Sequence, residues 1–193
     1  MDIILASASP RRRELLSLFP GQTLQVIPAL GEEAACEGMS PSETVLALSR
    51  AKAEEVAARC RSTGTEGVII AADTVVATEQ EILGKPRDAQ HATEMLRSLS
   101  GHTHRVFTGV TVIAGARVQT AVEETAVTFR KLTEREIAAY VATGDPMDKA
   151  GAYGIQGIAS LFVEKLDGDY FNVMGLPLCR LSQKLSEVGV YLI

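Results

Sequence analysis

The sequence predicts an α/β fold, and three observations carry the prediction. Continuous apolar runs at residues 3–6 and 68–72 read as strands, the second typical of a central strand buried on both faces. Helix-start signals at Ser40, Asp88 and Thr133 alternate with strand candidates instead of gathering in one block. A chain of 193 residues suits one domain, or two lobes sharing one sheet.

Each element has a local cause. Residues 3–6 form a short buried strand that runs into a turn of small residues. A helix over 10–19 follows, with Ser9 as N-cap and Pro10 at the first helical position, ending near Pro20 and Gly21. Residues 23–28 are a second strand candidate, followed by an acidic loop at Gly31, Glu32 and Glu33. Ser40-Pro41-Ser42-Glu43 is a capping box, so a helix starts at 41 and runs to about Cys60. The run at 68–72 is expected to stop at Asp73-Thr74, with a second strand and a polar turn over 75–82. Asp88 caps a helix over 89–99, closed by Gly101. Two long strands, 106–113 and 118–129, form a hairpin around Gly115. Thr133-Glu134-Arg135-Glu136 is another capping box, starting a helix that ends at Thr143-Gly144. Residues 159–164 and 170–173 are expected to pair as a hairpin around Asp167-Gly168. A last helix over 176–188 carries Leu178, Leu181, Leu185 and Val188 on one face.

Composition narrows the function classes. A net charge of −5 argues against a general nucleic-acid binder, so the Arg11-Arg12-Arg13 cluster is a local device in an acidic chain. Cys36, Cys60 and Cys179 are odd in number and widely spaced, which excludes a disulfide framework or a structural zinc from expectation. His102 and His104 would share a strand face, and surface or hydrogen-bonding roles are favoured for them over metal binding. No signal peptide and no bilayer-spanning apolar stretch is read, so the expected compartment is the cytoplasm, with no membrane partner.

Several residues invite two readings from the sequence. The arginines at the 10–19 helix start are either a solvated basic turn or a grip for a polyanion such as a phosphate chain. Lys52 falls on the apolar face of its helix with Val45, Leu48 and Val56, where it either snorkels to the rim or meets an anion in a cleft. Asp73 after a buried strand is either a turn-forming cap or a carboxylate for metal or base chemistry. Lys85 sits in the constrained loop Leu83-Gly84-Lys85-Pro86. The stretch 145–157 has glycines at 151, 154 and 157, a spacing that lets backbone approach a ligand. Its Gln156 carries a donor and an acceptor, enough to read a nucleobase edge, though a solvent-facing Gln in a plain loop has the same spacing. Cations at Arg11, Arg12, Lys52 and Lys85 with acids at Glu33 and Asp73 suit metal-assisted attack on a phosphate chain, and an oxygen-ligand site suits Mg²⁺ or Mn²⁺.

These stretches, in order, are ASASPRRRELL (6–16), the Lys52 helix, AADTVV (71–76), LGKP (83–86), SGHTHRVFTGV (100–110), DPMDKAGAYGIQG (145–157) and NVMGLPL (172–178). The series resembles the Maf family of nucleoside triphosphate pyrophosphatases along nearly the whole chain. That resemblance implies a single Maf domain over 1–193, with two lobes around a substrate cleft and a central twisted mixed sheet flanked by helices. This is a Maf/inosine-triphosphatase-like fold in which dimers are common. It also implies hydrolysis of the α–β phosphoanhydride of a nucleoside triphosphate to monophosphate and diphosphate, with a divalent cation. By matching motif, Asp73 is the proton acceptor and Glu33 joins it near metal and water. Arg11 and Arg12 hold phosphate with Lys52 and Lys85, and Ser7 belongs to the same substrate-binding motif. Arg11, Thr74 and Gln156 match positions associated with substrate choice, and their identities resemble the branch acting on dTTP and UTP. The branch acting on 7-methyl-GTP has Trp at the Arg11 place and an acid at the Gln156 place. Arg13 matches no role and is expected at the surface. CTP and modified pyrimidine triphosphates stay open as substrates. So do family roles in removing non-standard nucleotides and in arrest of cell division. The competing class is a non-enzymatic nucleotide-binding regulator of cell division; a nucleic-acid binder is the weaker third.

Overall fold

The computed structural model describes residues 2–31 and 38–193. Glu33, Glu32 and Cys36 lie outside the described residues. Among the described residues a mixed sheet of seven strands is flanked by six α-helices, as the α/β expectation had it. The chain divides into two compact units.

The first unit comprises Met1–Asp73, Thr108–Glu123 and Gly175–Ile193. In it β1 (Asp2–Leu5) lies parallel to β2 (Thr23–Val26) on one side and to the start of β3 (Val68–Ala77) on the other. Helix α1 (Pro10–Leu16) ends earlier than the Pro20-Gly21 stop predicts. Ser9 caps it by backbone alone: its carbonyl accepts from Arg13 N at 3.2 Å, and its side chain makes no cap bond. Helix α2 (Pro41–Thr63) starts at the predicted capping box, with Ser40 N donating to Glu43 Oε2 at 2.9 Å and Glu43 N to Ser40 Oγ at 3.3 Å. It ends on Gly64 at φ 68°, a left-handed cap that glycine adopts without penalty. The core here gathers Ile4, Ala53, Val56, Ala57, Ile69 and Ile113. Helix α2 sits so close to β5 (Thr103–Ala114) that a Cβ on Gly109 would lie 2.3 Å from Val45 O. Ser49 and Thr111 share a buried hydroxyl–hydroxyl bond of 3.0 Å across the same contact.

The second unit comprises Thr74–Phe107 and Glu124–Met174. It contains β4 (Ile82–Leu83), α3 (Ala89–Leu99), the end of β6 (Arg117–Phe129), α4 (Glu134–Ala142), β7 (Val163–Asp167) and α5 (Tyr170–Met174). Asp88 accepts from His91 N at 2.8 Å, and Thr133 forms its reciprocal box with Glu136. The core is aromatic: Phe129, Tyr140, Tyr153 and Phe162 pack edge to face among Met95, Leu96, Leu99 and Ile137. The sheet runs β2-β1-β3-β5-β6-β7, with β4 antiparallel on β3 and β7 antiparallel on β6. Helix α6 (Leu178–Glu187) belongs to the first unit and buries Leu178, Leu181 and Leu185, with Val188 buried just beyond it.

Three local expectations fail for physical reasons. Asp73 does not end its strand: β3 continues for ten residues through it, because β-branched Thr74, Val75 and Val76 extend the run and the carboxylate has a partner. The expected strand at 75–82 is therefore the second half of β3 plus β4. No hairpin forms around Asp167-Gly168, because Asp169 Oδ1 accepts from Phe171 N at 2.7 Å and Asn172 N at 3.3 Å and turns 170–174 into a helix. Finally, the two histidines share no strand face, because β5 begins after His102; their expected roles hold, with His102 exposed and buried His104 sharing a 2.7 Å bond with the Tyr153 hydroxyl. Cys60 and Cys179 are free thiols. Among the described residues no helix is long and apolar enough to cross a membrane.

Candidate active site

The centre of the site is one ion pair. Asp73 lies within β3, preceded by Ala71 and Ala72, whose small side chains are fully buried. Lys52 comes from α2, one turn from Leu48 and one from Val56, both buried. Packing of that apolar face on the sheet carries Lys52 inward, and its Nζ donates to Asp73 Oδ1 at 2.5 Å. The two side chains are 23% and 10% exposed, so the pair is only partly screened by water. Lys52 therefore pairs with an acid of the protein rather than reaching only to the rim, and Asp73 lies within a strand rather than in a turn.

The Ser7 turn is built around Arg12. Its Nε donates to Gly175 O at 2.7 Å, and its Nη1 donates to Ser7 Oγ at 3.1 Å. Ser9 N also donates to Ser7 Oγ, at 3.2 Å. Ser7 therefore acts as an acceptor that orients the guanidinium, and Gly175, at φ 103°, supplies the second anchor. Arg11 is half-buried at the same helix start, whereas Arg13 is exposed, as expected. A cavity of about 330 Å³ opens beside this turn, lined by Ser7, Ala8, Ser9, Pro10 and Arg13 among others. The first unit thus holds an ion pair, an oriented guanidinium and open space beside the Ser7 turn.

The other matched residues belong to the second unit. Thr74 is half-buried in β3, directly after Asp73. Lys85 is exposed in the loop between β4 and α3. Gln156 is half-buried at the end of the glycine-rich stretch, immediately before a 3₁₀ turn at Gly157–Phe162. The loops of Lys85 and Gln156 are joined, since Gly151 N donates to Gly84 O at 3.0 Å. Among the described residues no group of three His, Cys, Asp or Glu side chains is placed to hold a metal ion. Mg²⁺ commonly takes one or two protein carboxylates and completes its shell with phosphate oxygens and water; by its chemistry Asp73 would fit as one such carboxylate.

Sequence reasoning gave no role to Gly175 or Lys149. Gly175 acts through its carbonyl, which no side-chain pattern reveals. Lys149 had a visible signal, acids one and four residues before it, at Asp148 and Asp145.

Comparison with known proteins bears on the family of the whole chain. The family profile described as Maf-like protein matches residues 2–188. A dTTP/UTP pyrophosphatase of Carboxydothermus hydrogenoformans is 51% identical over 191 residues, covering 98% of this chain and all of that protein. A dTTP/UTP pyrophosphatase of Bacillus cereus is 47% identical over 188 residues, covering 97% of this chain and 96% of its own length. Among solved structures, a nucleoside-triphosphatase (dITP/XTP pyrophosphatase) of Mycobacterium abscessus matches at TM-score 0.44 and 18% identity, covering 68% of this chain and 76% of that one.

Proposed function

The chain belongs to the Maf family, and we propose that it is a nucleoside triphosphate pyrophosphatase acting on dTTP and UTP, dependent on Mg²⁺ or Mn²⁺. The observation that carries the reading is the Lys52–Asp73 pair, 2.5 Å across, at the two positions that the family motifs assign to phosphate binding and proton transfer. Two relatives near 50% identity over almost their whole length bear the name dTTP/UTP pyrophosphatase, which supports the substrate class.

In this reading Asp73 takes a proton from the attacking water while Lys52 holds the carboxylate in place. The water oxygen bonds to the α-phosphorus, the bond to the α–β bridging oxygen breaks, and diphosphate leaves. Arg11, Arg12, Lys52 and Lys85 offset charge that builds on the phosphate chain. Arg12 is suited to this because Gly175 and Ser7 have already fixed its plane. Gln156 and Thr74 select the base, a primary amide being able to pair with the O4/N3–H edge of uracil or thymine. A divalent ion, held by Asp73 and Glu33 with substrate oxygens, would supply further charge neutralisation at the phosphates.

The test is product identity. Purified protein incubated with UTP and Mg²⁺ or Mn²⁺ should release UMP and diphosphate; UDP and orthophosphate would refute the bond assignment. Asp73→Asn should lower turnover by about 10²–10⁴-fold with folding intact. Excess chelator should abolish turnover, and either divalent ion should restore it.

A further inference from the structure

The glycine-rich stretch is not a plain loop. Lys149 Nζ donates to Asp145 O at 2.5 Å, to Asp145 Oδ1 at 3.0 Å and to Asp148 Oδ1 at 2.6 Å. An ammonium has three N–H donors, and here each has an acceptor. The Lys149 side chain is only 10% exposed. Asp145 is anchored in turn: the hydroxyl of buried Tyr140, on α4, donates to its Oδ2 at 2.9 Å. The lysine is therefore committed to the protein, not offered to a phosphate.

Its stem has a second task. A Cβ on Gly154 would lie 2.8 Å from Lys149 Cε and 2.9 Å from Cδ, so the stem fills the space that a side chain at 154 would need. Gly154 lies two residues before Gln156. Between them and the lysine, Gly151 and Ala152 both take left-handed backbone, at φ 67° and φ 60°. A residue with a Cβ holds that conformation only when its surroundings enforce it, and such strain concentrates at functional sites. Ala152 is fully buried, and its N–H donates to Lys149 O at 3.1 Å.

We infer that Lys149 is a positioning residue for base selection: its ammonium locks onto Asp145 and Asp148, and its stem, laid across Gly154, holds the segment that presents Gln156. The inference rests on the proposal that Gln156 reads the base. Lys149 touches no substrate in it and acts through the backbone at 154–156.

The experiment compares Lys149→Met, Gly154→Ala and Gln156→Ala by kcat/KM for dTTP against CTP and GTP, with thermal midpoints for all three. Lys149→Met keeps a stem and removes the lock. Gly154→Ala keeps every charge and displaces the stem; 154 lies outside the left-handed positions, so alanine meets no backbone strain there. Both should lower the dTTP-to-CTP selectivity by about tenfold or more, chiefly through KM. A merely structural lysine would lower all three substrates alike and leave the ratio unmoved. If Gln156→Ala collapses the ratio while Lys149→Met and Gly154→Ala keep it at the parent value, the inference is overturned and the Gln156 reading stands. If Gln156→Ala also leaves the ratio intact, the reading of Gln156 fails and this inference with it. Should Lys149→Met not fold, Gly154→Ala decides alone.

Discussion

Lys52 and Asp73 make distinguishable demands on the molecule. Lys52→Met keeps the stem against Leu48 and Val56 but leaves a carboxylate that is 10% exposed without its ammonium. Removing one partner of a fully buried pair costs about 3–5 kcal/mol. Partial exposure of Lys52 lowers that here, and a loss of about 2 kcal/mol is expected in urea unfolding. Turnover should fall by about 10²–10³-fold, since the carboxylate is no longer held. Asp73→Asn should behave oppositely, with a larger loss of activity and a smaller loss of stability, because the amide oxygen still accepts from Lys52. Equal stability of the two variants would argue that the pair is not the local linchpin its geometry indicates.

Among elements, the contact of α2 with β5 is the most exacting. Gly109 is where the helix backbone meets the strand: a Cβ there would lie 2.3 Å from Val45 O and 2.5 Å from Val45 C. Those are backbone atoms, which no rotamer change relieves. Gly109→Ala must push α2 away from the sheet, and overpacking of this kind costs about 1–3 kcal/mol. The same shift carries Lys52 outward, so turnover should fall with stability. Denaturant midpoints and initial rates on one preparation test this; full activity with parent stability would mean that the helix does not rest on this glycine.

For the whole molecule, buried His104 makes a separable contribution to acid stability. It is 2% exposed, and burial holds its pKa down, from 6.5 to about 4. The Tyr153 hydroxyl faces its Nε2 and is itself pushed up by burial, and the other ring in contact is Phe129. Between pH 6.5 and about 4 the unfolded chain binds a proton at this histidine that the folded chain refuses. Stability from this group is therefore full above pH 6.5 and is lost as pH falls towards 4. A shift of that size corresponds to at most about 3 kcal/mol. His104→Gln, which can still bond Tyr153, should flatten the stability–pH curve in that window. Carboxylates such as Glu136, held near pKa 2 by Arg130 and Thr133, contribute equally in both proteins and cancel. An unchanged slope in the variant would remove His104 from the account.

Legibility followed the distance over which each feature is decided. The starts of α2, α3 and α4 were readable because their capping bonds close within three residues, as from Ser40 to Glu43 and from Asp88 to His91. The strands at 3–6 and 68–72 were readable because burial on both faces demands continuous apolar residues. The order of short motifs, from ASASPRR to NVMGLPL, determined the family without any coordinates. Residues 170–173 read as a strand because aromatic residues favour strands, while the Asp169 cap, itself braced by Thr125 some 44 residues away, outweighs that preference. What only the tertiary structure decided were the partners: Lys52 with Asp73 across 21 positions, and Arg12 with Gly175 across 163. A helical stripe fixes which way a side chain faces. It does not say what stands opposite, because that depends on how the apolar faces pack once the whole chain has closed around them.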